Sequence, residues 1–307
     1  LTPDEMHAQW AIRKIRELEE SEDQRPFFMG VGFVRPHTPL YAPQRFFDMF
    51  PIEEIELSPI KEGDALDTHY AALYPPDRKG PRYYRTIGES YPDVETGLKH
   101  FLQAYLACIA FVDEQIGLVL DALEDSRFRE NTIVVFTSDN GWNMGEKEFL
   151  FKNSPWEEST RVPLIIRAPG EDVPGSRVEH PVSLIDIFPT LADLCDLQGE
   201  TTKNSEGAQL DGFSLRPFLE DPASSEWAGP DGALAVLGVG LDKEDLNKQT
   251  FSYRTRDWRY VMYPNGREEL YDHRNDPFEW ENLADIPTVA SEKQVLKDQM
   301  MGIVKLQ

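Results

Sequence analysis

Hydrophobic residues in this chain recur first at helical spacing. After Thr2-Pro3-Asp4-Glu5, the residues Met6, Trp10, Ile12 and Ile15 follow one another as far as about Glu20. Thr2 can take the N-cap, Pro3 fits the first helical position, and Glu5 can close a capping box. The run Pro26-Phe27-Phe28-Met29-Gly30-Val31-Gly32-Phe33-Val34 is continuously apolar. That pattern predicts a strand covered on both faces, as in a parallel sheet. Two prolines in Arg35-Pro36-His37-Thr38-Pro39 end it. Residues 51–96 are rich in Pro, Asp and Tyr with weak periodicity, and read as a long irregular connection.

From about Asp93 to Leu123, Leu98, Leu102, Tyr105, Ile109, Val112, Ile116, Val119 and Leu123 alternate in steps of four and three. This predicts one buried helix face held for about seven turns. Thr132 to Thr137 is the clearest strand, stopping at Ser138-Asp139-Asn140-Gly141, and Val162 to Ile166 predicts a second. A helix is expected around Asp186–Leu194, with Pro189 tolerable near its first turn. The alternation of helices and strands predicts an α/β sheet with parallel strands. After about residue 225 the pattern changes to short aromatic strands at Thr250–Arg254, Trp258–Tyr263 and Glu269–Tyr271, with a Pro264-Asn265-Gly266 hairpin turn. The expected division is therefore an α/β domain over 1–225 and an antiparallel subdomain over 226–307.

Composition narrows the functional classes. The 307 residues carry 31 Lys and Arg against 55 Asp and Glu, a net charge of −24 that disfavours nucleic acid as a partner. A local basic pocket for a small anion remains compatible with it. No stretch approaches the ~18 apolar residues of a membrane span. Cys108 and Cys195 cannot form a disulfide framework and read as packing cysteines.

Three segments can carry chemistry. Asp139 and Asn140 follow a core strand, where open α/β sheets bind ligands, and offer hard oxygens suited to Ca²⁺ or Mg²⁺. The same residues also make a plain Asp-Asn-Gly turn. His37 lies in a Pro-His-Thr-Pro segment whose fixed backbone would aim the imidazole outward, as a catalytic group or as a hydrogen-bonded structural one. Lys152 lies 13 positions beyond Asp139, between aromatic residues in the loop joining two core strands. Partly buried it would clamp an anion; otherwise it is a solvated lysine. No Gly-x-Ser-x-Gly elbow, Walker loop, His-Glu-x-x-His or dinucleotide glycine pattern is present.

Taken together, these segments resemble the sulfatase family of the alkaline-phosphatase-like superfamily, nearest its iduronate-2-sulfatase-like branch. The resemblance is carried by Pro26-Phe27-Phe28 through Pro36-His37-Thr38-Pro39 and by Phe136-Thr137-Ser138-Asp139-Asn140-Gly141-Trp142. It continues through Lys152-Asn153-Ser154-Pro155-Trp156-Glu157-Glu158-Ser159-Thr160-Arg161-Val162-Pro163, Ser183 to Leu191, and Glu269-Leu270-Tyr271-Asp272 with Asn275-Asp276-Pro277. It implies an alkaline-phosphatase-like, mixed, mostly parallel sheet flanked by helices, with a small C-terminal antiparallel subdomain.

The implied activity is metal-assisted hydrolysis of a sulfate ester, on a sulfated carbohydrate. On that pattern Asp139 and Asn140 would ligate Ca²⁺ (or Mg²⁺). Lys152 would contact a sulfate oxygen and the bridging oxygen, and His37 would contact the sulfate and help protonate the leaving group. The family's nucleophile is formylglycine, made in a Cys-x-Pro-x-Arg (or Ser) motif that neither Cys108 nor Cys195 matches. The Asp-Asp pair of the family's first strand is also missing, so Leu1 is expected to lie inside a longer parent, whose N-terminal part is the implied partner. Lys147 and Glu148 stand where His-Gly is common in relatives. A periplasmic, extracellular or lysosomal location goes with the resemblance. The alternatives are a phosphodiesterase or phosphonate monoester hydrolase of the same superfamily, and a non-catalytic module lacking its nucleophile.

Overall fold

The computed structural model describes residues 1–73, 77–199, 207, 209–238 and 245–304. In chain order the elements begin α1 (Pro3–Glu20), α2 (Gln44–Phe47), α3 (Tyr70–Leu73), α4 (Lys79–Ser90), α5 (Val94–Glu124), β1 (Val134–Thr137), β2 (Asn143–Met144) and β3 (Leu150–Phe151). They continue with α6 (Glu157–Thr160), β4 (Leu164–Arg167), α7 (Ile187–Leu194), α8 (Arg216–Glu220), β5 (Gly232–Gly238), β6 (Gln249–Thr255), β7 (Trp258–Met262), β8 (Glu268–Asp272) and α9 (Ala290–Val304). They fall into two units, Leu1–Pro59 with Tyr84–Thr132 and Ile60–Tyr83 with Ile133–Gln307.

In the first unit the capping box of α1 forms as its sequence predicts, the Glu5 N–H donating to Thr2 Oγ1 and the Thr2 N–H to the Glu5 carboxylate. Ala8, Ala11 and Ile15 bury against α5. On α5, Leu98, Val112 and Leu123 are buried as expected, but Ala107, Cys108, Phe111 and Gln115 complete the buried face and Ile109 is exposed. The apolar stretch at 26–34 forms neither helix nor strand, joining no ladder among the described residues, and Phe28 is 87% exposed. A strand is made by its neighbours as much as by its composition. The Val34 and Arg35 N–H groups donate instead to the buried Asp4 carboxylate, at 2.6 and 3.2 Å.

The described residues of 51–96, which leave out 74–76, are more ordered than their composition suggests. They contain α3, α4 and two short 3₁₀ turns. Gly80 and Gly88 disguised α4, since glycine weakens a helix interior. Gly80 is there for packing: a Cβ would lie 2.2 Å from the Phe149 ring.

In the second unit β1 pairs with β4 in antiparallel register, Val134 opposite Arg167 and Thr137 opposite Leu164. This corrects the expected parallel pairing. The 138–163 excursion holds a two-residue hairpin ladder and the four-residue α6, not the long crossover helix typical of parallel neighbours. An apolar run cannot report direction.

The antiparallel sheet β5-β6-β7-β8 confirms the aromatic hairpin pattern and adds β5. Strand alternation sends Phe251, Tyr253, Trp258, Tyr260 and Leu270 into a core with Leu296, Met300 and Val304 of α9. Val261 and Tyr271 face the other way, with Tyr263 beyond the strand, into a second core with Tyr70, Phe149 and Trp156. Cys108 is buried as expected, whereas Cys195, capping α7, is exposed.

Candidate functional site

Asp139 and Asn140 stand just beyond the last residue of β1. Their backbone is fixed by Gly141. Its N–H donates to Ser159 O at 2.9 Å, the Trp142 N–H donates to Glu158 O, and a Cβ on Gly141 would lie 2.1 Å from that same carbonyl. Backbone meets backbone here, so only glycine fits.

The next residues bring a lysine back to the same point. The β2–β3 hairpin leads into Lys152, whose neighbours Phe151 and Asn153 have φ of 74° and 73°. Left-handed backbone at two residues without glycine's freedom is held by its surroundings. Asn143, 0% exposed, supplies much of that hold: its Oδ1 accepts from Ser154 Oγ at 2.7 Å and Ser159 Oγ at 2.8 Å. One amide thus ties the loop after Lys152 to α6. Lys152 Nζ then donates to Asn140 Oδ1 at 2.8 Å.

Asp139, Asn140 and Lys152 line one cavity of about 1470 Å³, with Glu158, Arg161 and residues of β5 and β6. The Glu158 carboxyl is pushed up to about 7, first by loss of water around it and then by Glu146, Glu157 and Glu279, with Arg161 opposing. Its position beside Arg161 was visible in the sequence, but its role as a cavity wall was not.

His37 stands in the other unit, in the turn before Pro39. Its Nδ1 lies 2.6 Å from Thr38 O and its N–H donates to Val34 O, while Arg35 donates to its carbonyl. A ring nitrogen facing a carbonyl carries the proton, which leaves Nε2 of the exposed imidazole as the free acceptor. The structure therefore gathers three of the four sequence candidates in one cavity and describes His37 within the first unit.

Two candidate cation sites differ in chemistry. At Asp139 and Asn140 the cavity lining offers a carboxylate and an amide oxygen. The carbonyl oxygen that takes the Lys152 ammonium has a second lone pair for a metal. This donor set fits a hard dication, which would draw its remaining ligands from elsewhere. A second cluster, Glu157, His273 and Glu279, brings three ligand atoms within 4.8 Å of one another. It does not fit a metal. Arg259 and Arg254 already neutralise the carboxylates, Arg254 donates to His273 Nδ1 at 3.0 Å, and His273 Nε2 donates to Glu279 at 2.8 Å. No lone pair on that imidazole remains.

This ionic network escaped sequence reading because its members come from three distant stretches. Lys147 is likewise withdrawn from the cavity: 3% exposed, it is committed to Asp64 at 2.7 Å.

Comparison with known proteins is consistent along the whole chain. The sequence profile of the sulfatase family matches residues 4–197, and that of the N-sulphoglucosamine sulphohydrolase C-terminal region matches 145–305. A Formosa agariphila sulfatase is 32% identical over 303 residues, covering 97% of this chain and 53% of the relative. Mouse iduronate 2-sulfatase is 31% identical, covering 85% of this chain and 55% of its own length. The crystal structure of a phosphonate monoester hydrolase of Agrobacterium radiobacter superposes with a TM-score of 0.76 at 25% identity, covering 97% of this chain and 60% of that one. The chain thus spans about half the length of the curated relatives it matches. Its fold is the α/β fold of alkaline-phosphatase-like sulfatases, carrying a small antiparallel sheet. The chain belongs to the sulfatase family.

Proposed function

We propose that this chain is the metal- and sulfate-holding portion of a sulfuric ester hydrolase acting on a sulfated carbohydrate. The observation that carries the proposal is the Lys152 ammonium 2.8 Å from Asn140 Oδ1, on a cavity that Asp139 also lines. In a protein of net charge −24, an anionic ester needs such a local concentration of positive charge.

Asp139 and Asn140 would hold the dication, calcium by preference or magnesium. When bound, it supplies charge that draws electron density from the sulfate oxygens. Lys152 orients the ester by donating to a sulfate oxygen and to the bridging oxygen, where negative charge grows as the bond to sulfur breaks. On the family pattern, His37 would help protonate the departing alkoxide, for which its Nε2 would have to carry a proton. The nucleophile would come from a segment outside residues 1–307, of the kind the longer relatives have room for. Cys108 is no substitute, because burial pushes its thiol up to about 11.

No helix among the described residues is long and apolar enough to cross a membrane. An exported or lysosomal setting fits the reading, and a signal segment on the natural precursor would test it.

The phosphonate monoester hydrolase likeness favours one competitor, a phosphate or phosphonate ester in the same cavity. Calcium-dependent binding of a carbohydrate sulfate, measured calorimetrically in competition with the matching phosphate ester, tests the choice. Preference for the sulfate is expected. A phosphate preference would reverse the assignment.

A further inference from the structure

The cavity holds more positive charge than a single sulfate uses. Beyond Lys152 it is lined by Arg256, in the turn between β6 and β7. Arg256 is exposed, and its side chain has no hydrogen-bond or ion-pair partner among the described residues. The other cavity arginines are paired: Arg254 and Arg259 with Glu157, Arg161 more loosely with Glu157 at 3.9 Å, and Arg177 with Glu179 at 3.5 Å.

The turn that presents Arg256 is held at each of its carbonyls. Arg254 donates to Thr255 O and, at 2.9 Å, to Arg256 O, while the His273 N–H donates to Asp257 O at 2.8 Å. Arg254 is itself anchored by Glu157 at 3.1 Å. Glu157 opens α6, whose Glu158 and Ser159 carbonyls receive the Trp142 and Gly141 N–H groups directly after Asn140. An unbroken chain of polar contacts therefore fixes the Arg256 turn relative to Asp139 and Asn140. That is how a protein sets a distance, and an unpaired guanidinium at its end suits an oxyanion in bidentate geometry. The cavity, at about 1470 Å³, also exceeds the usual ~300–1,000 Å³ of a small-molecule pocket.

We infer that Arg256 reads a second anionic group, a sulfate or a carboxylate, on the same saccharide as the sulfate ester held by Lys152, so that the preferred substrate is at least a doubly charged disaccharide. This rests on the sulfate-binding reading of the cavity given above. The calorimetric test uses this chain with calcium and three probes: a monosulfated monosaccharide, a disaccharide with two sulfates, and a disaccharide with one sulfate and one carboxylate. The wild-type chain is expected to bind at least one doubly charged probe about tenfold more tightly than the monosulfate. Which of the two gains identifies the second group.

Arg256→Ala, at an exposed turn position, should abolish that gain and leave monosulfate affinity unchanged, and Arg256→Lys should restore it in part. If Arg256→Ala keeps the wild-type preference, or no preference exists, the inference is wrong while the sulfate site stands. If the monosulfate fails to bind, or binds Lys152→Ala as tightly as wild type, the underlying reading falls and this one with it.

Discussion

Two sheets of the second unit, β1–β4 and β5–β8, are built on different terms. In the four-stranded sheet, strands β6–β8 are covered on both faces, by α9 on one side and by Tyr70, Phe149 and Trp156 on the other, while β5 lines the cavity. The pair β1–β4 is half open: Phe136 is 37% and Ile165 61% exposed. Yet the open pair carries Asp139 and Asn140, and the covered sheet carries mostly structure. The candidate site therefore does not take its rigidity from the sheet it grows out of. It takes it from polar locks: Gly141 against the carbonyls of α6, Asn143 between two serines, and the arginine–carboxylate network joining α6 to the covered sheet.

That division of labour predicts where the molecule breaks. Glu279→Ala should have the largest effect, because it strands the buried Arg259 without one of its carboxylates. A loss of about 3–5 kcal/mol in urea unfolding is expected. The same carboxyl gives a pH signature. Burial alone would raise it, but Arg259 and His273 hold it at about 2 against an ordinary 4.5. A carboxyl lowered on folding contributes stability above its unfolded value. That contribution should fade as pH falls from about 4.5 to 2, and acid titration of Glu279→Gln should lack that component.

Gly141→Ala should cost about 3 kcal/mol, since its Cβ meets a backbone carbonyl with no room to yield. The contrasting change is Gly117→Ala on α5, where a Cβ meets nothing within 4 Å. It should gain about 0.5–1 kcal/mol of thermal stability. If both glycines tolerate alanine equally, the close approach at Gly141 is not a lock.

Asn143→Ala releases Ser154 and Ser159 together, and should lose about 1–3 kcal/mol with a matching loss of sulfate affinity. At the small end, Ile165→Thr on the open pair should change stability by less than about 0.5 kcal/mol. A cost above 2 kcal/mol would mean that the β1–β4 face is covered in the protein at work.

The sequence carried these regions unequally. The cap of α1, the β1 strand and the aromatic hairpins were legible because each is decided by neighbours a few positions away. So was the grouping of Asp139, Asn140 and Lys152, which lie within one loop between two strands. Strand direction was not, because Val134–Thr137 reads the same whichever way Leu164–Arg167 runs. Nor was α4, whose Gly80 answers to the Phe149 ring rather than to helix propensity. The Glu157–Arg259–Glu279 network was invisible for a similar reason: its parts converge only after the chain has folded. Lys147 offered the converse case, a charge that looked available and is spent on Asp64.

The central claim, that Asp139 and Asn140 form the cation cradle of this cavity, is tested most directly by calorimetric calcium titration of the wild-type chain beside Asp139→Ala. Asp139 is exposed, so its replacement should leave the thermal unfolding midpoint unchanged while calcium binding disappears. Wild-type calcium affinity in Asp139→Ala would contradict the account.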